Sequence, residues 1–228
     1  MTVLPGSFAR PRRELASLGP LAQLRAGRLG RRMPQLFVGL VLYGVSMGLV
    51  IRADLGFFPW DVLHSGLAAH LPLSFGEVVI AVSFLVLLAW WPLRQHPGFG
   101  TVANAVVIGL VTDRVLAVLP VQHSLAVQVP LLVGGVVLNG LATAMYVGSQ
   151  LGPGPRDGLM TGLHRRTGLS LRLVRTGIEV TVVVVGWLIG GVFGVGTVLY
   201  ALAIGPLVQL MLPALTVELP QPDRQRTG

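Results

Sequence analysis

A register of 96 residues runs through most of this chain. Asp61 and Asp157 are 96 positions apart, and the same offset pairs Gly39 with Gly135, Leu42 with Leu138 and Gly44 with Gly140. It continues without a gap through Leu55-Gly56 and Leu151-Gly152, Pro59 and Pro155, Gly66-Leu67 and Gly162-Leu163, and Leu73-Ser74 and Leu169-Ser170. Trp91 then meets Trp187. Gly98, Gly100, Thr101 and Val102 meet Gly194, Gly196, Thr197 and Val198, followed by Ile108-Gly109 and Ile204-Gly205. Apolar low-complexity sequence gives chance matches, but not the same glycines, prolines and aspartates in one register. The chain reads as an internal duplication.

What is duplicated is apolar. Of the 228 residues, 53% are hydrophobic and 11% charged, where a soluble domain carries about a quarter charged residues. Six segments are long and apolar enough to cross a bilayer, at roughly 35–53, 74–93, 100–119, 128–148, 171–190 and 194–213. Pro59 to Leu71 lies between the first and second, and Pro155 to Thr167 between the fourth and fifth. Each of these is roughly 18 Å as a helix, against about 30 Å of hydrocarbon. Each opens with a proline, which the first helical turn favours. Both are expected as short helices, re-entrant or lying on the bilayer face. Three crossings per half leave the second half inverted, a plan common among secondary transporters. The expected fold is therefore an all-α membrane protein of six transmembrane helices, arranged as two inverted three-helix repeats with one short helix each. Its expected parts are a basic cytoplasmic tail at 1–34, repeat 1 at 35–119, an external linker at 120–127, repeat 2 at 128–213 and a disordered tail at 214–228.

Arginine sets the expected orientation. Lysine is absent, so the net charge of +8 comes from arginine alone. With the N-terminus inside and six crossings, only Arg52 and Arg114 of the 17 arginines fall outside. Both termini are then cytoplasmic. So basic a chain would also suit nucleic acid, but charge gathered on one side of a set of spans is a membrane pattern. The absence of cysteine excludes disulfides, thiol catalysis and cysteine-held clusters. Residues 1–33 carry seven arginines against Glu14 and lack a signal-peptide core. Leu15, Leu18, Leu21 and Leu24 leave two readings of this part, a surface-lying basic segment and a solvated tail.

Three stretches carry a family resemblance: LYGVSMGLVIRADLGFFPWDVLH, LGPGPRDGLMTGL and GVGTVLYALAIGPLVQ. They resemble the YczE-like bacterial membrane proteins, related to the YitT group, over roughly residues 36–213. The resemblance implies a multi-pass protein of the bacterial inner membrane and no assigned activity. One departure stands out. Gly154 precedes Pro155, but Phe58 precedes Pro59.

Asp61 and Asp157 are the most informative acids. Each falls two residues after its proline, where a carboxylate complements free N–H groups and the helix dipole. The functional reading is a pair of symmetry-related carboxylates lining a cavity and binding a cation, a proton or another small solute. The motif around them, Gly56 and Pro59 in one half and Gly152 and Pro155 in the other, starts the short helices. Glu179 lies inside a span, four residues after Arg175, and is a further candidate. Tyr43 and Asn139 occupy equivalent places and complete the candidate set, although hydrogen-bonding between helices is the commoner role for a residue such as Asn139. Gly44 with Gly48, and Gly140 with Ala144, give small-xxx-small spacing and are expected to join spans 1 and 4. Trp60 reads as an interfacial anchor and Arg156 as an inside-facing charge. Arg52 with Asp54 reads as an interfacial pair, and Asp113 with Arg114 as snorkelling. Ser74 and Glu77 form a capping box. Gly98 and Gly194 open glycine-rich turns without the lysine of a phosphate loop.

No metal-ligand spacing occurs among the five histidines, and no protease constellation is present, so no metal, cofactor or enzyme activity is expected. The leading expectation is a transporter-like protein moving or sensing a small solute. The alternative is a non-transporting accessory protein that acts on a protein partner. Expected partners are the lipid bilayer, the solute, and a partner chain or second copy; nucleic acid is not among them.

Overall fold

Apolar helices separated by glycine and proline follow one another through residues 19–219, which are those the computed structural model describes. They are α1 (Pro20–Arg25), α2 (Leu29–Ala53), α3 (Pro59–Ala68), α4 (Phe75–Trp90), α5 (Phe99–Val118), α6 (Leu125–Gly148), α7 (Pro155–Thr167), α8 (Leu171–Leu188) and α9 (Val195–Leu215). No strand occurs among the described residues. Helices α2, α5, α6 and α9 are long and apolar enough to cross a membrane. Leu85, Leu88, Val195, Leu202 and Leu210 stand at least 66% exposed on outer faces. That much bare hydrocarbon suits lipid better than water.

The duplication is visible in the helix boundaries. Helices α2 to α5 start at residues 29, 59, 75 and 99, and α6 to α9 start at 125, 155, 171 and 195, each 96 residues later. Pro34 inside α2 and Pro130 inside α6 correspond as well. The equivalent helices α2 and α6 pack together and run antiparallel. A Cβ on Gly39 would meet the Tyr146 backbone nitrogen at 2.9 Å, and one on Gly135 would meet Val50 at 2.6 Å. Those contacts are each other's counterparts, since Val50 corresponds to Tyr146. Asn139 Nδ2 donates to Ser46 Oγ at 2.8 Å between them.

The turns repeat the pairing. Gly100 N–H donates to Leu151 O at 2.8 Å, and Gly196 N–H to Leu55 O at 2.8 Å. Gly56 and Gly152, at φ +111° and +128°, press on Gly194 and Gly98 respectively. Only glycine fits there, in space and in backbone angle. The glycine turns at Gly98 and Gly194 are thus docking points for the other half. Their N–H groups donate to Thr101 and Thr197 Oγ1 at 3.1 and 3.3 Å. Each short helix likewise packs on the long helix of the opposite half, α3 on α8 and α7 on α4.

Several expectations need correction. Helices α2 and α6 do pack, but Gly44, Gly48 and Gly140 are not the reason. Gly44 and Gly48 face Val111 and Val115 of α5, and Gly140 faces Leu207 of α9. Ala144, one turn after Gly140, is buried and shares its side of α6. The glycines that admit α6 to α2 are Gly39 and Gly135. They lie on another side of each helix, about 140° away at 100° per residue.

The basic segment is not a solvated tail up to residue 34, because α2 begins at Leu29 and Arg32 is fully buried. Its guanidinium donates to Ser149 O and Gln150 O at 2.7 and 2.7 Å, carbonyls left free after the end of α6, and to Gln23 O of α1 at 2.6 Å. At the other terminus, Thr216 and Val217 are buried, and Val217 N–H donates to Gly148 O at 2.9 Å. Residues 1–18 and 220–228, with their arginines, Leu15 and Leu18, lie outside the described residues.

Arg52 donates to Leu116 O, and no contact with Asp54 is formed among the described residues. Asp54 instead ends α2 at φ +53°. Asp113 does not snorkel. It accepts from Ser74 Oγ at 2.5 Å and Gly76 N–H at 2.7 Å, tying α4 to α5. The Ser74–Glu77 capping box is present as expected.

Candidate functional site

Proline at the first position of α7 fixes where that helix starts, and the turn before it, Gly152-Pro153-Gly154, has little side chain to fill the space. A cavity of about 50 Å³ results. By volume it holds a few waters or one small ion. It is lined by Tyr43 of α2, Ser83 of α4, Asn104 of α5, Tyr146 of α6, and Arg156 and Asp157 of α7, among others. Asp157 Oδ2 accepts from the Tyr146 hydroxyl at 2.5 Å and from Gly154 N–H at 3.2 Å. The carboxylate therefore caps its helix and lines the cavity together.

Asp61 is placed differently. It is 1% exposed, and its Oδ1 lies 3.0 Å from His64 Nδ1 on the next turn. His64 is fully buried, and its Nε2 has no hydrogen-bond partner among the described residues. Arg156 reaches across from α7, with Nη2 3.9 Å from Asp61 Oδ1 and its guanidinium 4.9 Å from the Trp60 ring centre. Trp60 and Arg156 are duplication equivalents and stack on each other. Trp60 is buried, so the interfacial-anchor reading fails.

The remaining candidates separate. Tyr43 lines the cavity and sits edge-on to Tyr146, ring centres 6.2 Å apart. Asn139 is fully buried and joins helices, donating to Ser46 and accepting from the Tyr200 hydroxyl at 3.0 Å. Glu179 accepts from Arg175 Nε at 2.9 Å, as its spacing suggested, and does not line the cavity. Gly56, Pro59, Gly152 and Pro155 set the two helix starts, as the motif implied.

Sequence reasoning missed His64, Ser83, Asn104 and Tyr146. A signal existed for each of the first three. His64 follows Asp61 by three residues, a facing distance on a helix. Ser83 and Asn104 are polar residues in apolar spans, and the register maps them onto Glu179 and Tyr200. No group of three or more His, Asp or Glu side chains able to hold a metal occurs among the described residues.

Apolar helices with bare outer faces, closed around a small cavity, define a helical membrane protein. The chain belongs to the family described as "Family of unknown function (DUF6198)", which matches residues 30–213. It is similar to an uncharacterized protein of Haemophilus influenzae, 38% identical over 78% of this chain and 81% of that one. The "Uncharacterized membrane protein YczE" of Bacillus subtilis is 34% identical over 78% of this chain and 83% of its own length. The B. subtilis protein YyaS is 26% identical over 77% of this chain and 90% of its own. The YczE-like resemblance holds. No solved structure matches the chain.

Proposed function

We propose that the chain crosses the bacterial inner membrane six times, as two inverted three-span repeats, and moves a small polar solute through the Asp157 cavity. Helices α4 and α8 supply the fifth and sixth crossings. At 16 and 18 residues they reach about 24 and 27 Å, which local thinning and flanking residues accommodate. The antiparallel packing of the equivalent helices α2 and α6 supports the inversion. The arginine distribution favours both termini in the cytoplasm.

The observation that carries this reading is a small cavity at the start of the short helix α7, where a carboxylate, tyrosines, a serine, an asparagine and an arginine meet an otherwise apolar lining. Interrupted helices in inverted repeats form solute sites in this way.

The absence of cysteine makes the test direct. Ser83→Cys places one thiol in the cavity lining. An impermeant thiol reagent is expected to modify it in right-side-out and in inside-out vesicles, because a translocation site opens to each side in turn. Reaction from one side alone, or from neither, overturns translocation. His123→Cys, in the linker at 120–127, is expected to react only from outside. Reaction from inside alone overturns the orientation.

A further inference from the structure

The four groups Asp61, His64, Arg156 and Asp157 form one charge system divided between two helix starts. Asp61 and His64 are enclosed, at 1% and 0% exposure. Arg156 is shared, 3.9 Å from Asp61 through its side chain and joined to Asp157 through the backbone. With His64 neutral and donating Nδ1–H to Asp61, the system has two carboxylates against one guanidinium. One positive charge is missing. Two places can supply it. One is His64 Nε2, a buried nitrogen without a hydrogen-bond partner, and the other is the cavity beside Asp157.

Among the described residues, the neighbours do not supply that charge. From α4, His64 faces the Phe75 ring, 6.1 Å between ring centres. Helix α8, packed along α3, carries Arg172 in its exposed first turn, and Arg175 and Glu179, which neutralise each other at 2.9 Å. Tyr43 of α2 and Tyr200 of α9 also interact with Asp61. Asp61 and His64 are buried and Arg156 and Asp157 half-buried, and charges held away from water are stable when they balance.

We infer that a proton on His64 Nε2 and a small monovalent cation in the Asp157 cavity bind in exchange for one another, so that the solute is a cation moved against a proton. The inference rests on the Asp157 cavity being the solute site. With the proton bound, His64 offsets Asp61, Arg156 offsets Asp157, and the cavity has no net attraction for a cation. With the proton gone, Arg156 is held by Asp61 and the Asp157 carboxylate is left for the cation. Coupling of two ligands through one charge balance is reciprocal, so the cation must also lower the affinity for the proton.

The whole chain in nanodiscs tests this, in weakly buffered solution with a pH-indicating dye. Separate arms use sodium, rubidium and methylammonium, which distinguish an alkali ion from an amine. At least one is expected to bind, releasing up to one proton per cation, with affinity rising about tenfold per pH unit over the range in which the cation-free protein still holds the proton. His64→Gln is expected to keep cation binding and lose both the proton release and the pH dependence. Asp157→Asn is expected to lose the binding itself. Binding without proton release in the unaltered protein overturns the exchange, as does full proton release in both His64→Gln and Asp61→Asn, or binding by none of the three probes. The unaltered protein alone decides the first and last of these, so a variant that fails to fold leaves the inference open to refutation. A Ser83→Cys thiol reactive from both sides, together with an absence of proton release, removes exchange and leaves translocation standing.

Discussion

The two halves place the same pocket in the same position, and one of them fills it. In the second-half site, Gly154 leaves the space beside Asp157, Tyr146 and Asn104 open; a Cβ there would already come within 3.1 to 3.4 Å of all three. In the first half the equivalent residue is Phe58. It is 2% exposed, with its ring centre 4.0 Å from that of Tyr200, the equivalent of Asn104. Ser83 and Val79 line the open site, and the paired Glu179 and Arg175 stand at their counterparts. Duplication thus preserved the frame while the two sites diverged, one into a carboxylate beside a cavity and one into a buried Asp61–His64 pair and a Phe58 ring packed on Tyr200.

The largest effects should fall where the halves have remained alike. Gly39→Leu and Gly135→Leu each drive a side chain into the other central helix, so each is expected to cost about 3 kcal/mol or more. The two losses should match. Thermal unfolding in one detergent checks this, and a tolerated substitution at either position refutes the twofold contact.

Next come the residues at which the halves differ. Phe58→Ala removes a buried ring and is expected to destabilise by about 3 kcal/mol while opening the first-half site to water. Gly154→Phe is expected to block the second-half site and stop modification of a Ser83→Cys thiol. Folding by Phe58→Ala with no loss of stability would show that the ring is not a plug.

A smaller difference is expected from the acids. Asp157→Asn keeps an acceptor for Gly154 N–H, so it should fold with a loss under about 1 kcal/mol, and lose solute binding. Asp61→Asn leaves His64 without its carboxylate and Arg156 less well balanced, at a cost of about 1–3 kcal/mol. Equal stability of the two variants, with solute binding retained in Asp157→Asn, would mean that both acids act only as caps.

The frame was legible in the sequence because duplication writes backbone requirements twice. A positive φ at residues 56 and 152 needs glycine, a fixed start at 59 and 155 suits proline, and both recur at one offset. Which face of a helix meets which neighbour was not legible. Gly39 and Gly44 are both glycines in one apolar span, and only the path of α5 decides that Gly44 meets Val111. The site was half legible. Asp61 and Asp157 stood out as charges, but their environments depend on the residues packed over them: Phe58 on one side and nothing beyond Gly154 on the other. Arg32 escapes a sequence reading because an arginine near a terminus resembles solvated charge until the carbonyls it gathers, more than 100 residues away, are in place.

The smallest effect expected separates the halves most cleanly. Helix α4 is fastened to α5: a Cβ on Gly109 would lie 2.5 Å from Gly76 O, and Asp113 accepts two hydrogen bonds from the start of α4. The equivalents of Gly76, Gly109 and Asp113 are Arg172, Gly205 and Gln209. The Arg172 side chain prevents the close approach that Gly76 permits, and Gln209 has no carboxylate to fasten a helix start. A Cβ on Gly205 accordingly would have nothing within 4 Å, and α8 does not lie along α9 as α4 lies along α5. Gly205→Ala should therefore change stability by less than about 0.5 kcal/mol, or raise it slightly through better helix propensity. Gly109→Ala should cost at least about 1 kcal/mol, because the carbonyl of Gly76 is backbone and cannot step aside. Thermal unfolding of the two alanine variants measures the difference. Equal losses would show that α8 and α9 close against each other as tightly as α4 and α5, and that the two halves are not asymmetric at this joint.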